Sequence, residues 1–246
     1  MKKMLQLCVA AAYACLIANC STALTPAQKA SFKDKLIVTA KRLPEDRKSV
    51  QVITVADALA AGLSSVAVGV AAGASNPNGF NQGMMTGLTV SQYGSSRNVG
   101  SAQDSDEEDP ALQIAHSLAE TLASHTGARF DKADPRYTKG TFVSRVTKSY
   151  PGSDLILDVT TTDWMTLYFP LTWNRYRVVY GAGFRLIDAK TGKVLAQASY
   201  RGVPEKTSDA PTMEELRANN NARFKLEMKK HIDACVKQFR VETLKL

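Results

Sequence analysis

The chain has 246 residues, with 31 Lys and Arg against 23 Asp and Glu for a formal net charge of +8, and four cysteines. That length suits one domain, or one domain with an appendage, and can bury a real core. So modest a positive excess does not by itself mark a nucleic-acid binder.

Lys2 and Lys3 form a short basic end, and Met4 to Ile17 carries no charge. This is the layout of a secretory signal peptide. The run is shorter than the roughly 20 apolar residues that span a bilayer, so it reads as an export signal and not an anchor helix. Leu16-Ile17-Ala18-Asn19-Cys20-Ser21 resembles the bacterial lipoprotein box, with an aliphatic residue at −3, small residues before the cut, then Cys. Asn19 departs from the Gly, Ala or Ser usual there.

The resemblance implies removal of residues 1–19 and lipidation of Cys20 with fatty acids such as palmitate. Ser21 after the lipidated Cys implies the periplasmic face of the outer membrane. Several acyl chains, at about 0.8 kcal/mol per buried methylene, would hold a folded domain firmly on a bilayer. The competing reading is an ordinary cut after Ser21-Thr22-Ala23, which releases a soluble periplasmic binding protein or hydrolase.

Removing residues 1–19 leaves 227 residues and, without Lys2 and Lys3, a net charge of +6. That excess faces either anionic lipid head groups, an acidic partner or simply water. With Cys20 acylated, Cys235 is alone and no disulfide framework exists; on the apolar face of a helix it reads as a buried thiol.

Residues 20–34 are polar and mixed, and read as a tether between lipid and domain. Lys35–Lys41 and Ser49–Val55 are candidate strands by β-branched content. Ala56–Ala74 is dominated by Ala, Gly, Val and Ser, with Asp57 its one charge. On a helix, Gly62, Gly69 and Gly73 require a packing reason, since Gly costs about 1 kcal/mol against Ala there. Gly69 and Gly73 form a small-xxx-small pair. With the second Gly-bearing stretch to Val90, this segment is a hairpin that enters a membrane or seals an oligomeric pore, a helix packed inside the domain, or a flexible segment. Ser91–Asp109 is a linker with an acidic run that lacks the Gly and closing Glu of a calcium loop. Residues 35–109 thus hold N-terminal strands, the Gly/Ala-rich segment and a linker.

Residues 110–246 carry the main domain. Asp109 caps a helix, Pro110 opens it and Gly127 ends it, with Leu112, Ala115, Leu118, Ala119 and Leu122 on one side. From Asp154 the chain alternates as strands. Tyr176, Val178, Tyr180, Ala182, Phe184 and Leu186 share one face, and Asp188–Lys193 is a turn with Gly where positive φ is wanted. Thr212 and Glu215 make a capping box for a long helix whose apolar side is Phe224, Met228, Ile232, Cys235, Val236 and Phe239. The expected fold is α+β (α/β): a mostly antiparallel sheet of about four to five strands packed by two main helices.

Ser153-Asp154-Leu-Ile-Leu-Asp-Val159 and Arg185-Leu-Ile-Asp-Ala-Lys-Thr-Gly-Lys-Val-Leu195 resemble the curli-secretion lipoprotein and the lipoprotein activators of penicillin-binding proteins, whose domain is like the amino-terminal domain of TolB. The likeness covers roughly residues 110–240, and Ala56–Val90 has no counterpart in it. It implies a domain without catalytic residues or cofactor that works by docking, through a protein partner or self-association.

The residues agree with a non-enzyme. His116 and Glu120 lie one turn apart without an HExxH pattern or a Cys cluster, so no metal site is expected. No Gly-x-Ser-x-Gly elbow occurs. Thr191-Gly192-Lys193 lacks the upstream Gly spacing of a phosphate loop. Asp158 and Asp163, five apart on a strand, should point to opposite faces. Trp164, Tyr168, Phe169 and Trp173 crowd one strand connection and form either a partner or membrane surface or part of the core. Nucleic acid is not an expected partner.

Overall fold

The computed structural model describes residues 21–43, 51–53, 109–169, 172–204 and 208–246, with only the backbone at 51–53 and at Trp173. In chain order the elements are α1 (Pro26–Ala30), β1 (Leu36–Thr39), β2 (Gln51–Ile53), α2 (Pro110–Thr126), β3 (Arg129–Asp131), α3 (Val143–Ser149), β4 (Leu155–Phe169), β5 (Thr172–Asp188), β6 (Val194–Gly202) and α4 (Met213–Gln238). A π-helical turn, Phe239–Leu244, closes the order.

The strands form one sheet in the order β3-β1-β4-β5-β6, with β2 also paired to β4. β4, β5 and β6 are the expected antiparallel meander and supply the long ladders. The short strands add a parallel component. β1 sets Ile37–Thr39 beside Leu155–Leu157, and β2 sets Gln51–Ile53 beside Met165–Leu167, so two short strands share one edge of β4. Parallel pairing needs long crossovers, and the crossover from β1 back to β4 includes α2 and α3.

Both main helices begin as their sequences dictate. Asp109 Oδ1 accepts from Ala111 N at 3.0 Å, and Gly127 closes α2 with φ of 73°. At α4, Glu215 N donates to Thr212 Oγ1 at 3.1 Å while Thr212 N donates to Glu215 Oε2 at 2.7 Å. The expected unbroken helix is interrupted, however. Asn219, Asn220 and Asn221 have φ of 50°, 56° and 59°, a left-handed conformation that Asn tolerates better than most residues.

One face of the sheet is covered by α2 and α4. Ile114, Leu118 and Leu122 from α2 meet Leu155, Leu157, Tyr180, Phe184 and Leu186 from the sheet, and Met228, Cys235 and Phe239 close the layer. Ile114 joins the buried side while Leu112 stays half-buried. The opposite face has a smaller core, where Val146 from α3 and Tyr150 just after it pack on Val38, Ile156 and Ile187.

Asp154, at the entry to β4, joins three elements. Its Oδ2 accepts from Leu36 N at 2.9 Å, and Oδ1 meets Lys190 Nζ at 2.7 Å. The Leu36 N–H, then Lys190, hold the Asp154 carboxyl below the usual carboxylate range. This one side chain therefore ties β1 to the start of β4 and to the β5–β6 hairpin. In that hairpin Asp188 Oδ1 accepts from Thr191 N at 2.8 Å, and Gly192 takes a φ of 69°.

Candidate functional site

The described chain starts at Ser21, so Cys20 lies outside the described residues, as do Gly62, Gly69, Gly73 and the whole of Ala56–Val90. The stretch after Cys20 differs from the expected tether. Thr22 N donates to Gln197 O at 2.9 Å and Gln197 N donates back to Thr22 O at 3.0 Å, which adds one antiparallel bridge to the outer edge of β6. Leu24 N donates to Thr243 O at 2.8 Å. Leu24 and Phe32 are 3% and 1% exposed in the main core, and α1 between them carries its own capping box at Thr25 and Gln28. Residues 21–34 are part of the fold, because two apolar anchors and four backbone bonds, the fourth from Asp34 N to Gly127 O, offset the entropy that a free tether would keep.

The aromatic crowd is mostly interior. Tyr168 and Tyr176 are buried in the main core, and Trp164 packs against it with its ring stacked on Phe224 at 6.5 Å. Phe169 is buried too, under the Arg177 guanidinium at 5.1 Å. These positions put Tyr168 and Phe169 into packing, while Trp164 is half-buried and still faces a groove between α2 and α4. The Trp173 side chain lies outside the described residues.

Asp158 and Asp163 do not point to opposite faces. A bulge between Thr161 and Asp163 inserts one extra residue, so Asp158 pairs with Arg185 and Asp163 with Gly181, both on the same side of β5. An extra residue reverses the alternation of everything beyond it. Asp158 is buried between Arg42 Nη2, at 2.6 Å, and Arg185 Nη2. Arg185 also donates to Thr141 O at 2.6 Å, and Arg42 Nη2 to Thr160 Oγ1 at 3.4 Å. This cluster joins four parts of the chain and is structural in its geometry.

The remaining candidates are dispersed. Glu120 takes Lys132 Nζ at 3.0 Å, while the His116 ring sits 5.9 Å from that of Phe130. Cys235 is a free buried thiol whose pKa burial pushes up, which keeps it protonated and unreactive.

A cleft that the sequence did not signal lies where β6 ends. Gly202 pairs with Tyr180, and past it the edge of β5 has no strand beside it among the described residues. Two groups replace that strand: Tyr176 N donates to Pro211 O at 2.8 Å, and His231 Nε2 donates to Val178 O at 3.0 Å. His231 Nδ1 then accepts the Tyr200 hydroxyl at 3.2 Å. Burial lowers the His231 pKa, in keeping with a neutral ring bonded at both nitrogens. A Cβ at Gly202 would run into that ring and the Tyr200 hydroxyl.

Around this edge, α4 with residues 203–204 and 209–211 borders a cleft of about 410 Å³. Arg177 lines it and is 4% exposed. Its Nη1 donates to Pro204 O at 3.3 Å, and its Nε has no acceptor among the described residues. A larger groove of about 700 Å³ runs between α2 and α4, floored by Trp164, Phe224 and Ile232 and rimmed by Lys225, Lys229 and Lys237.

No family model matches the chain, and no curated protein does. Solved structures similar to it include three bacterial proteins. A point variant of the PelC dodecamer from Paraburkholderia phytofirmans is 12% identical, over 86% of this chain and 91% of that one, with a TM-score of 0.28. The lipoprotein GNA1162 from Neisseria meningitidis is 16% identical, over 84% and 98%, with a TM-score of 0.27. The protein CT253 from Chlamydia trachomatis is 9% identical, over 52% and 81%, with a TM-score of 0.30. Among the described residues no helix is long and apolar enough to cross a membrane.

Proposed function

We propose that this chain is a lipid-anchored lipoprotein on the periplasmic face of a bacterial outer membrane, working without catalysis as an assembly or accessory factor. The observation that carries the reading is the position of Cys20. It follows the uncharged run of an export signal, and the chain two residues later is already bonded into the edge of β6. An acyl group on Cys20 would therefore sit directly against the folded domain. The buried Asp158 cluster and the inert Cys235 are better suited to holding the fold than to chemistry, which favours docking, on a protein partner or a second copy. Incorporation of radiolabelled palmitate into the parent, and none into a Cys20→Ser variant, is the expected result. An unlabelled parent that keeps residues 1–19, or starts with a free thiol, would sink the reading.

A further inference from the structure

We propose that the cleft at the free edge of β5 is a binding site for an organic anion with a compact apolar body, whose carboxylate or phosphate is held by Arg177. The site does not depend on lipidation of Cys20.

Charge singles out this residue. Among the described residues Arg42 and Arg177 are the two buried arginines, at 6% and 4% exposure. Arg42 has the Asp158 carboxylate at 2.6 Å. Arg177 has one carbonyl, Pro204 O, and the face of Phe169, and no carboxylate of the described residues reaches it. A guanidinium carries five N–H donors and stays charged at any physiological pH. Burying one beside a single neutral acceptor is costly, and a protein tolerates that cost where a ligand supplies the counter-charge.

The surroundings narrow the ligand. Arg223 and Lys230 stand at the rim, but Arg223 faces Asp209 and Glu227, and Lys230 faces Glu227. Their charges are answered locally, so among the described residues of the cleft Arg177 is the cation without a carboxylate beside it. The planar guanidinium matches the two oxygens of a carboxylate or phosphate. Tyr176, Tyr200, Val203 and Pro211 supply apolar wall. About 410 Å³ is at the small end of ligand pockets, enough for one ring or a short acyl chain. His231 is already bonded at both nitrogens, so it shapes the cleft and leaves the anion to Arg177.

The test is calorimetric titration of the full chain with 4-phenylbutyrate, phenyl phosphate and the neutral 4-phenylbutanamide. One or both anions bind in the millimolar range or better and the amide does not; which anion binds more tightly identifies the head group. Arg177→Met weakens anion binding by at least about tenfold, the value of a charge-assisted pair, and Arg177→Lys gives an intermediate loss. Thermal melts add a readout that a structural arginine would not give. Without ligand, Arg177→Met melts at or above the parent temperature, and the anions raise the melting temperature of the parent but not of the variant. Equal binding of acid and amide, unchanged binding in Arg177→Met, or no binding by the parent would each overturn the proposal. So would an Arg177→Met variant that melts well below the parent.

Discussion

The two faces of the sheet bury their residues by different physics. Under α2 and α4 the contacts are almost wholly apolar, with Leu118, Leu155, Tyr180, Phe184 and Phe239 fully buried together. On the other face a small apolar core under α3 adjoins an ionic trio, the buried Arg42 and Asp158 with the half-buried Arg185. The first face is held by area removed from water. On the second, removing one member leaves a charge without its counter-charge. The difference teaches that the helical face sets how stable the domain is, whereas the ionic face fixes which segments meet: residue 42, the loop at Thr141 and the two long strands.

The largest effect should fall on the helical face. Phe184→Ala removes a ring packed 5.3 Å from that of Phe239 and should cost about 4 kcal/mol in urea denaturation. Asp158→Ala should cost about 3 kcal/mol by stranding Arg42. The informative comparison is the triple change Arg42→Met, Asp158→Leu and Arg185→Met, which should recover most of that loss; failure to recover would mean the trio stabilises in its own right. Gly202→Ala, at the edge where the helical face turns over, should cost about 2 kcal/mol by displacing His231 or Tyr200.

Thr212→Ala should cost about 1 kcal/mol through the lost cap. The smallest effect is one of pH. Burial lowers the His231 pKa in the folded state, so below the unfolded value of about 6.5 the unfolded chain takes a proton that the folded chain resists. Stability should therefore be flat above that pH and decline as pH falls from about 6.5 toward the folded value. His231→Gln should remove this slope from a series of urea midpoints.

Much of the fold was legible because its signals are local. Asp109, Pro110 and Gly127 bracket α2, Thr212 and Glu215 open α4, and the even-numbered run Tyr176 to Leu186 marks the core side of β5. The illegible parts depend on partners far away in sequence. The bulge at Thr162 leaves no composition signature, yet it puts Asp163 on the side of Asp158. Residues 21–34 look polar, and only the cover supplied by Thr243 and the main core makes Leu24 and Phe32 interior. Arg177 alternates like any outward strand residue, and its burial comes from Pro204 and Phe169 closing over it. The left-handed Asn219–Asn221 had a readable cue, since three consecutive Asn are poor helix formers.

The bridge between Thr22 and Gln197 has a mechanical meaning for a lipid-borne protein. A lipid-borne domain on a long leash samples a wide volume and meets distant partners, its reach growing with the square root of the leash length. On the proposed reading the leash would end at the second residue after Cys20, so a fatty anchor there would fix which side of the domain looks toward the bilayer. Any molecule that works with it would have to approach the membrane plane itself.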